Sequence, residues 1–314
     1  MDTPKRPTTP PAMLTGPAEI EEGYYDLEEH ERNQSWVALH AHSDAFALWY
    51  RALTQYRRAM LGTWHFENAE PGSVELASLG LRMQLLGLGI CAAKSSLDDL
   101  TAGYYSQAFA GIRHLLETFV QCMYVDFHPD QALLWYEQEG GVAAQIDPPS
   151  MKTMCQALKA EPTLSGTNVR LLLDKVYNSW QLMSKGAHPS GVGILQTRQP
   201  DTGMGLIGAT YREDLCLAGL DHGLFVLGSL IPRALRMTKP KIGAWSDEWN
   251  QLKDEIGAWR EENKARLLAS EGTIPEERSI SEIPRPVPGV TSDEVKRCYN
   301  LIRLRQEEMN RVQR

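Results

Sequence analysis

Residues 104–125 read YYSQAFAGIRHLLETFVQCMYV. Tyr105, Phe109, Ile112, Leu116, Phe119 and Met123 recur at spacings of three and four, which makes one continuous apolar stripe at helical period. Ala108, Leu115 and Cys122 widen it, so the helix is expected to be covered on most sides and to be the most buried long helix of the chain. Arg113 and Glu117 stand one turn apart on its flank, at ion-pair spacing. A guanidinium and a carboxylate on so apolar a helix need partners, because unpaired buried charge is costly. If the pair is sealed, removing one member should destabilise by roughly 3–5 kcal/mol.

Working outward, the preceding segment opens at Ser73 and runs to about residue 101, with Gly80, Gly87 and Gly89 in its apolar stretch. Such glycines weaken a helix, so their expected role is close approach of a neighbour. A phosphate loop fits worse, since no GK[ST] and no preceding strand accompany them. Thr101-Ala-Gly103 breaks the chain before the central helix, and His128-Pro129 ends that helix. A helix over about 31–61 should bury Trp36, Leu39, Ala47, Tyr50 and Leu53. Short helices are expected over 130–138 and from Ser150 to about 160, and a long one over 167–185 with Leu171, Leu172, Val176, Trp180 and Met183 inward. Residues 184–191, SKGAHPSG, stop it and put His188 at a helix C-terminus. The segments 191–198 and 204–211 flank QPDTG, a hairpin signal. Residues 211–237 return to helix, with Leu215, Leu217, Leu220, Leu224, Leu227 and Ile231 apolar around Asp221 and His222.

The expected fold is therefore all-α, an antiparallel helical bundle with a small β-hairpin insert near 192–210. Five prolines in residues 1–18 and seven carboxylates in 19–31 predict a disordered lead over 1–30. The helical core is then 31–240, followed by a peripheral helix in 241–270, a Pro-rich linker over 271–290 and a C-terminal helix in 291–314. That last helix opens on Thr291-Ser-Asp-Glu294, a capping box, and carries Val295, Cys298, Ile302, Met309 and Val312 near coiled-coil spacing.

The chain has 314 residues, 42% of them hydrophobic, and a net charge of −8. That charge argues against a general nucleic-acid coating role. The five cysteines, at 91, 122, 155, 216 and 298, form no CxxC pair and read as buried free thiols in a reducing compartment. No signal peptide is visible, and the uncharged run 83–93 is too short to span a bilayer, so the expected setting is cytoplasmic, away from membranes.

The chemistry-bearing set joins Arg113 and Glu117 to Tyr177, Ser184 and His188. Ser184, His188 and a carboxylate have the residue types of a nucleophile triad, but the sharp GxSxG elbow is missing. An arginine could hold a phosphate's developing charge while a histidine moves a proton, which is ribonuclease chemistry. A buried ionic network is the third reading, and the one preferred here. His40, His42 and Asp44 are poorly spaced for a metal, and no HExxH or paired ExxH pattern occurs, so neither metal nor cofactor is expected.

The phrases GYYSQAFAGIRHLLETFVQCMYV (103–125) and VYNSWQLMSKGAHPS (176–190) resemble a family of uncharacterised bacterial helical proteins. Those are distantly similar to HEPN bundles, whose catalytic members are metal-independent RNases of toxin and defence systems. The resemblance spans roughly residues 80–235 and implies a helical core with a polar cluster at Arg113, Glu117 and His188. HEPN RNases place Arg, then four to six residues, then His, on one helix at a dimer interface. Arg58 and His65 have that spacing with Gly62 between them, whereas His114 follows Arg113 directly and cannot share its face. The expected function is thus a non-catalytic helical interaction or accessory protein of a defence or mobile-element system. Its expected partner is another protein or a second copy, met through helical faces. The alternative is a HEPN-like ribonuclease using Arg113 and His188, with RNA as its partner.

Overall fold

The computed structural model describes residues 17–61, 73–132, 149–164, 167–187, 211–238 and 246–271. All of them belong to one compact unit, drawn from Met1–Thr197 and Leu206–Ile274. Among the described residues the structure is all-helical, without a strand. The expected hairpin near 192–210, the linker and the C-terminal helix lie outside the described residues.

Ten α-helices are described: α1 (Pro17–Ala41), α2 (Ser43–Leu61), α3 (Val74–Ala102), α4 (Tyr105–Phe127), α5 (Met151–Ala160), α6 (Thr167–Ala187), α7 (Glu213–Phe225), α8 (Ile231–Thr238), α9 (Ser246–Glu262) and α10 (Lys264–Glu271). Helix starts with short polar side chains at their caps form where expected. The Ser73 hydroxyl accepts from the Leu76 N–H at 3.2 Å, and the Ser150 hydroxyl from the Thr153 N–H at the same distance. Gly103, at φ 89°, takes the left-handed position that lets the Tyr104 N–H reach back to the Asp99 carbonyl at 2.7 Å. That short turn folds α4 back along α3, and α4 also packs on α5, α6, α7 and α8.

The α4 stripe is buried as its spacing requires, from Tyr105 through Phe109, Ile112, Leu116 and Phe119 to Met123. The most buried long helical run is nevertheless residues 213–235, where 19 of 23 residues are buried against 12 of 23 in α4. Mean apolarity decides this: the run is apolar on nearly every side, so it needs cover all round. Its path is irregular for a chemical reason. Pro232 has no N–H to give, and the turn before it, Val226–Leu230, widens to π geometry with the Ile231 N–H on the Val226 carbonyl.

The first long helix differs from its expected form in three ways. It begins at Pro17, inside the segment expected to be disordered; it divides at His42; and it buries the other side. Trp36, Leu39 and Tyr50 are exposed, at 47%, 37% and 46%, and Ala47 is exposed too. Ala38, Ala45, Phe46, Trp49, Ala52, Tyr56 and Ala59 go inward instead. Both sets satisfy helical period, so spacing alone leaves the rotation open. Trp49 and Tyr56 settle it by reaching α3: the indole N–H donates to the Ala93 carbonyl at 3.3 Å and the phenol to the Leu86 carbonyl at 2.5 Å. Gly89 makes room for that phenol, since a Cβ there would lie 2.6 Å from its oxygen. Leu171, expected inward on α6, is 61% exposed, and Leu173 takes the core position.

The helix expected at the periphery buries Trp249, Leu252 and Ile256 against α2, α7 and the π turn. Two described helices, Val74–Ala102 and Glu213–Leu235, are long and apolar enough to cross a bilayer, but the second is wrapped by its own protein.

Glycine positions give a sharp test. A Cβ on Gly223 would sit 2.0 Å from the Trp49 ring, whereas one on Gly87 meets nothing within 4 Å. Gly223→Ala should lower stability by about 3 kcal/mol through overpacking. Gly87→Ala should raise it by up to ~1 kcal/mol through helix propensity. Urea denaturation of the two variants measures both.

Candidate functional site

Arg113 and Glu117 lie on the flank of α4 that faces α6, and their i,i+4 spacing lets the side chains meet. Arg113 Nε donates to Glu117 Oε1 at 2.9 Å. Trp180 on α6 donates its indole N–H to the same oxygen at 2.7 Å. The Arg113 guanidinium rests over the Trp180 ring, 5.2 Å from its centre, and Tyr177 stacks on Trp180 with ring centres 5.8 Å apart and planes at 16°. Tyr177 and Trp180 are therefore one aromatic platform under one cation. His114 turns outward, its Nδ1 4.0 Å from Glu117 Oε2.

The set is half-buried, not sealed: the Arg113 and Glu117 side chains are 29% and 23% exposed. Water screens the pair, so the cost of breaking it falls below that of a fully buried one. Arg113 meets Glu117 directly, and Tyr177 stacks on Trp180, which donates to the same carboxylate. The structure gives Ser184 a different task. The Ser184 hydroxyl donates to the Trp180 carbonyl at 2.8 Å, along its own helix. A serine used in that way is not poised as a nucleophile. His188 lies outside the described residues, one position beyond the end of α6 at Ala187.

Trp180 is the residue whose role the sequence reading missed. Its spacing predicts only an inward, packed ring, yet its N–H donates to the Glu117 carboxylate. Its position, three residues after Tyr177, was a usable signal.

Two further polar pairs were also missed. Arg82, 8% exposed, pairs with Asp126 and donates to the Ser78 carbonyl, tying α3 to the end of α4. Burial holds the Asp126 carboxyl above its ordinary range, against the downward pull of Arg82. On the other side, Arg260 of α9 takes Asp221 of α7 in a two-bond clasp, at 2.5 and 3.0 Å. The Phe225 ring lies below it, touched also by Lys175 of α6 at 4.3 Å. Asp221 thus turns to α9, not to the Arg113 set.

The remaining candidates have separate places. His40 stacks on Trp36, while His42 is buried with its Nε2 2.9 Å from the Tyr211 hydroxyl, so the two point apart. Cys122, Cys155 and Cys216 are buried, and burial pushes the first two thiols up to about 12 and about 11. Such thiols are protonated and unreactive. Cys91, expected to be buried, is exposed on α3.

Against known proteins, the chain matches no family model, no curated protein and no solved structure.

The geometry predicts graded costs. Arg113→Ala should destabilise by about 1–2 kcal/mol, the range for a charge-assisted hydrogen bond with a stacked cation in a half-exposed place. Ser184→Ala should stay within about 0.5 kcal/mol, since its bond is local. A double-mutant cycle between Arg113 and Glu117, read by urea denaturation, should return a coupling of about 1 kcal/mol.

Proposed function

We propose that this chain is a non-catalytic helical interaction or accessory protein, in which the Arg113 set fastens α4 to α6. One observation carries the reading: the Glu117 carboxylate is shared between Arg113 and Trp180 inside the set, and the guanidinium is seated on the Trp180 ring. Groups engaged with each other in this way have structural work in joining α4 to α6. The serine that could have made the set nucleophilic spends its hydroxyl on its own helix.

An interaction role also agrees with what the helices leave uncovered. Trp36, Val37 and Leu39 on α1 and Leu88 on α3 are large apolar side chains in contact with solvent. They support a protein partner or a second copy docking on helical faces. Lys94, Asp98 and Asp99 near the end of α3 support a helix that faces water there, in keeping with a setting away from membranes.

The second reading is a HEPN-like metal-independent ribonuclease, a toxin or antiphage effector, with Arg113 and His188 as its catalytic pair. It is favoured by one feature. Arg113 is partly open to solvent and His114 is 43% exposed beside it, so a phosphate could approach this flank.

Purified protein incubated with single-stranded and structured RNA separates the two. We expect no cleavage by the parent chain or by Arg113→Ala and His188→Ala, with the melting temperature lowered in Arg113→Ala. Cleavage by the parent that both substitutions abolish, at an unchanged melting temperature, would establish the ribonuclease reading instead.

A further inference from the structure

Gly257, Arg260, Lys264 and Leu268 recur at spacings of three and four through α9 and α10. The Asn263 N–H donates to the Trp259 carbonyl at 3.0 Å, and the Leu267 N–H to the Asn263 carbonyl at 2.9 Å. The helical path therefore runs on past Asn263, and the four residues share one face. Together with Asp221 of α7 that face lines a cleft of about 320 Å³. Such a volume lies at the small end of the range for ligand sites, about 300–1,000 Å³.

The cleft combines an apolar wall, open space and a fixed cation. Leu267 is buried and Leu268 beside it is 62% exposed, so the wall is open to water. A Cβ on Gly257 would meet nothing within 4 Å. Arg260 is held in place: its Nε and Nη2 donate to Asp221 at 2.5 and 3.0 Å, and its guanidinium lies 5.9 Å from the centre of the Phe225 ring. That clasp uses one edge of the guanidinium. Nη1 makes no hydrogen bond among the described residues, although Arg260 lines the cleft. Lys264 is exposed and holds the Glu261 carboxylate at 2.9 Å.

We propose that this cleft is a binding site for a small monocarboxylate with an apolar body. The carboxylate accepts from Arg260 Nη1 and from Lys264, and the body lies over Gly257 against Leu267 and Leu268. This site goes beyond the role proposed above, which rests on a different set of residues on α4 and α6. Its charge decides the ligand class. Two cations, Arg260 and Lys264, and two carboxylates, Asp221 and Glu261, line it. One negative charge can be matched there, whereas the second charge of a phosphate monoester would meet like charge. Neither half of the ligand suffices alone, because exposed ion pairs contribute little and the apolar wall is short.

Titration of the full chain with octanoate, followed by the backbone amide NMR shifts of residues 257–268, tests this. We expect saturation with a Kd on the order of 1 mM. Octanol, which lacks the charge, and acetate, which lacks the chain, should each bind at least about tenfold more weakly. Gly257→Leu, which fills the cleft from an exposed position, should weaken octanoate binding at least about tenfold. Glu261→Gln removes the competitor for Lys264 and should tighten octanoate binding about threefold. Arg260 is left intact, because its loss would strand the buried Asp221 carboxylate. No saturable shift with octanoate, octanol or octyl phosphate binding as tightly as octanoate, or an unchanged affinity in Gly257→Leu overturns the proposal. Weaker binding by Glu261→Gln overturns it as well.

Discussion

The seat of Trp49 on Gly223 is the contact on which the rest of the packing depends. The indole of α2 is fully buried, lies against the backbone of α7, and gives its N–H to the Ala93 carbonyl of α3. One side chain thus ties three helices. A buried aromatic removes about 200 Å² from water, worth roughly 5 kcal/mol on transfer arithmetic. Because the contact is ring against glycine, α2 and α7 approach more closely than two side-chain layers would allow. That closeness helps to cover residues 213–235, of which 19 of 23 are buried.

Around this apolar centre the charged residues sit where helices meet. Arg82 with Asp126 joins α3 to α4, Arg113 with Glu117 and Trp180 joins α4 to α6, and Asp221 with Arg260 joins α7 to α9. Apolar faces of similar shape can slide or rotate past one another at little cost. A carboxylate with two fixed donors cannot, because a wrong register leaves it desolvated and unpaired. The three pairs differ in exposure, and so in what they contribute. Arg82 and Asp221 are nearly shut away from water, whereas the Arg113 set is open enough to be screened.

The widened turn at Val226–Leu230 belongs to the same economy. Pro232 interrupts the hydrogen-bond ladder inside the most buried run, where a free carbonyl is expensive. Passing through one π turn keeps the chain helical on both sides of the proline. It also keeps Leu224, Leu227, Leu230 and Ile231 all in the core.

The helices themselves were legible in the residues. Ser73, Gly103 and Ser150 mark ends that the structure places within a residue or two, because caps and breakers act locally. The stripe of α4 was legible for the same reason: its apolar residues leave one self-consistent rotation. On α1 and α2 two rotations satisfied the same period, and the one that buries Trp36, Leu39 and Tyr50 was the wrong choice, since all three are exposed. Period gives an angle around an axis, and only the neighbours Ala93, Leu86 and Gly223 decide which angle faces inward. The candidate site divides in the same way. That Arg113 and Glu117 need each other followed from four residues of spacing, whereas Trp180 entered through a contact across 63 positions. By itself the sequence determined most of the described helical segments, though not the start of α1 at Pro17, and showed that Arg113 and Glu117 could not stand alone. Tertiary structure decided who answers them, since a hydrogen bond between helices depends on where two axes cross, and no local pattern encodes that crossing.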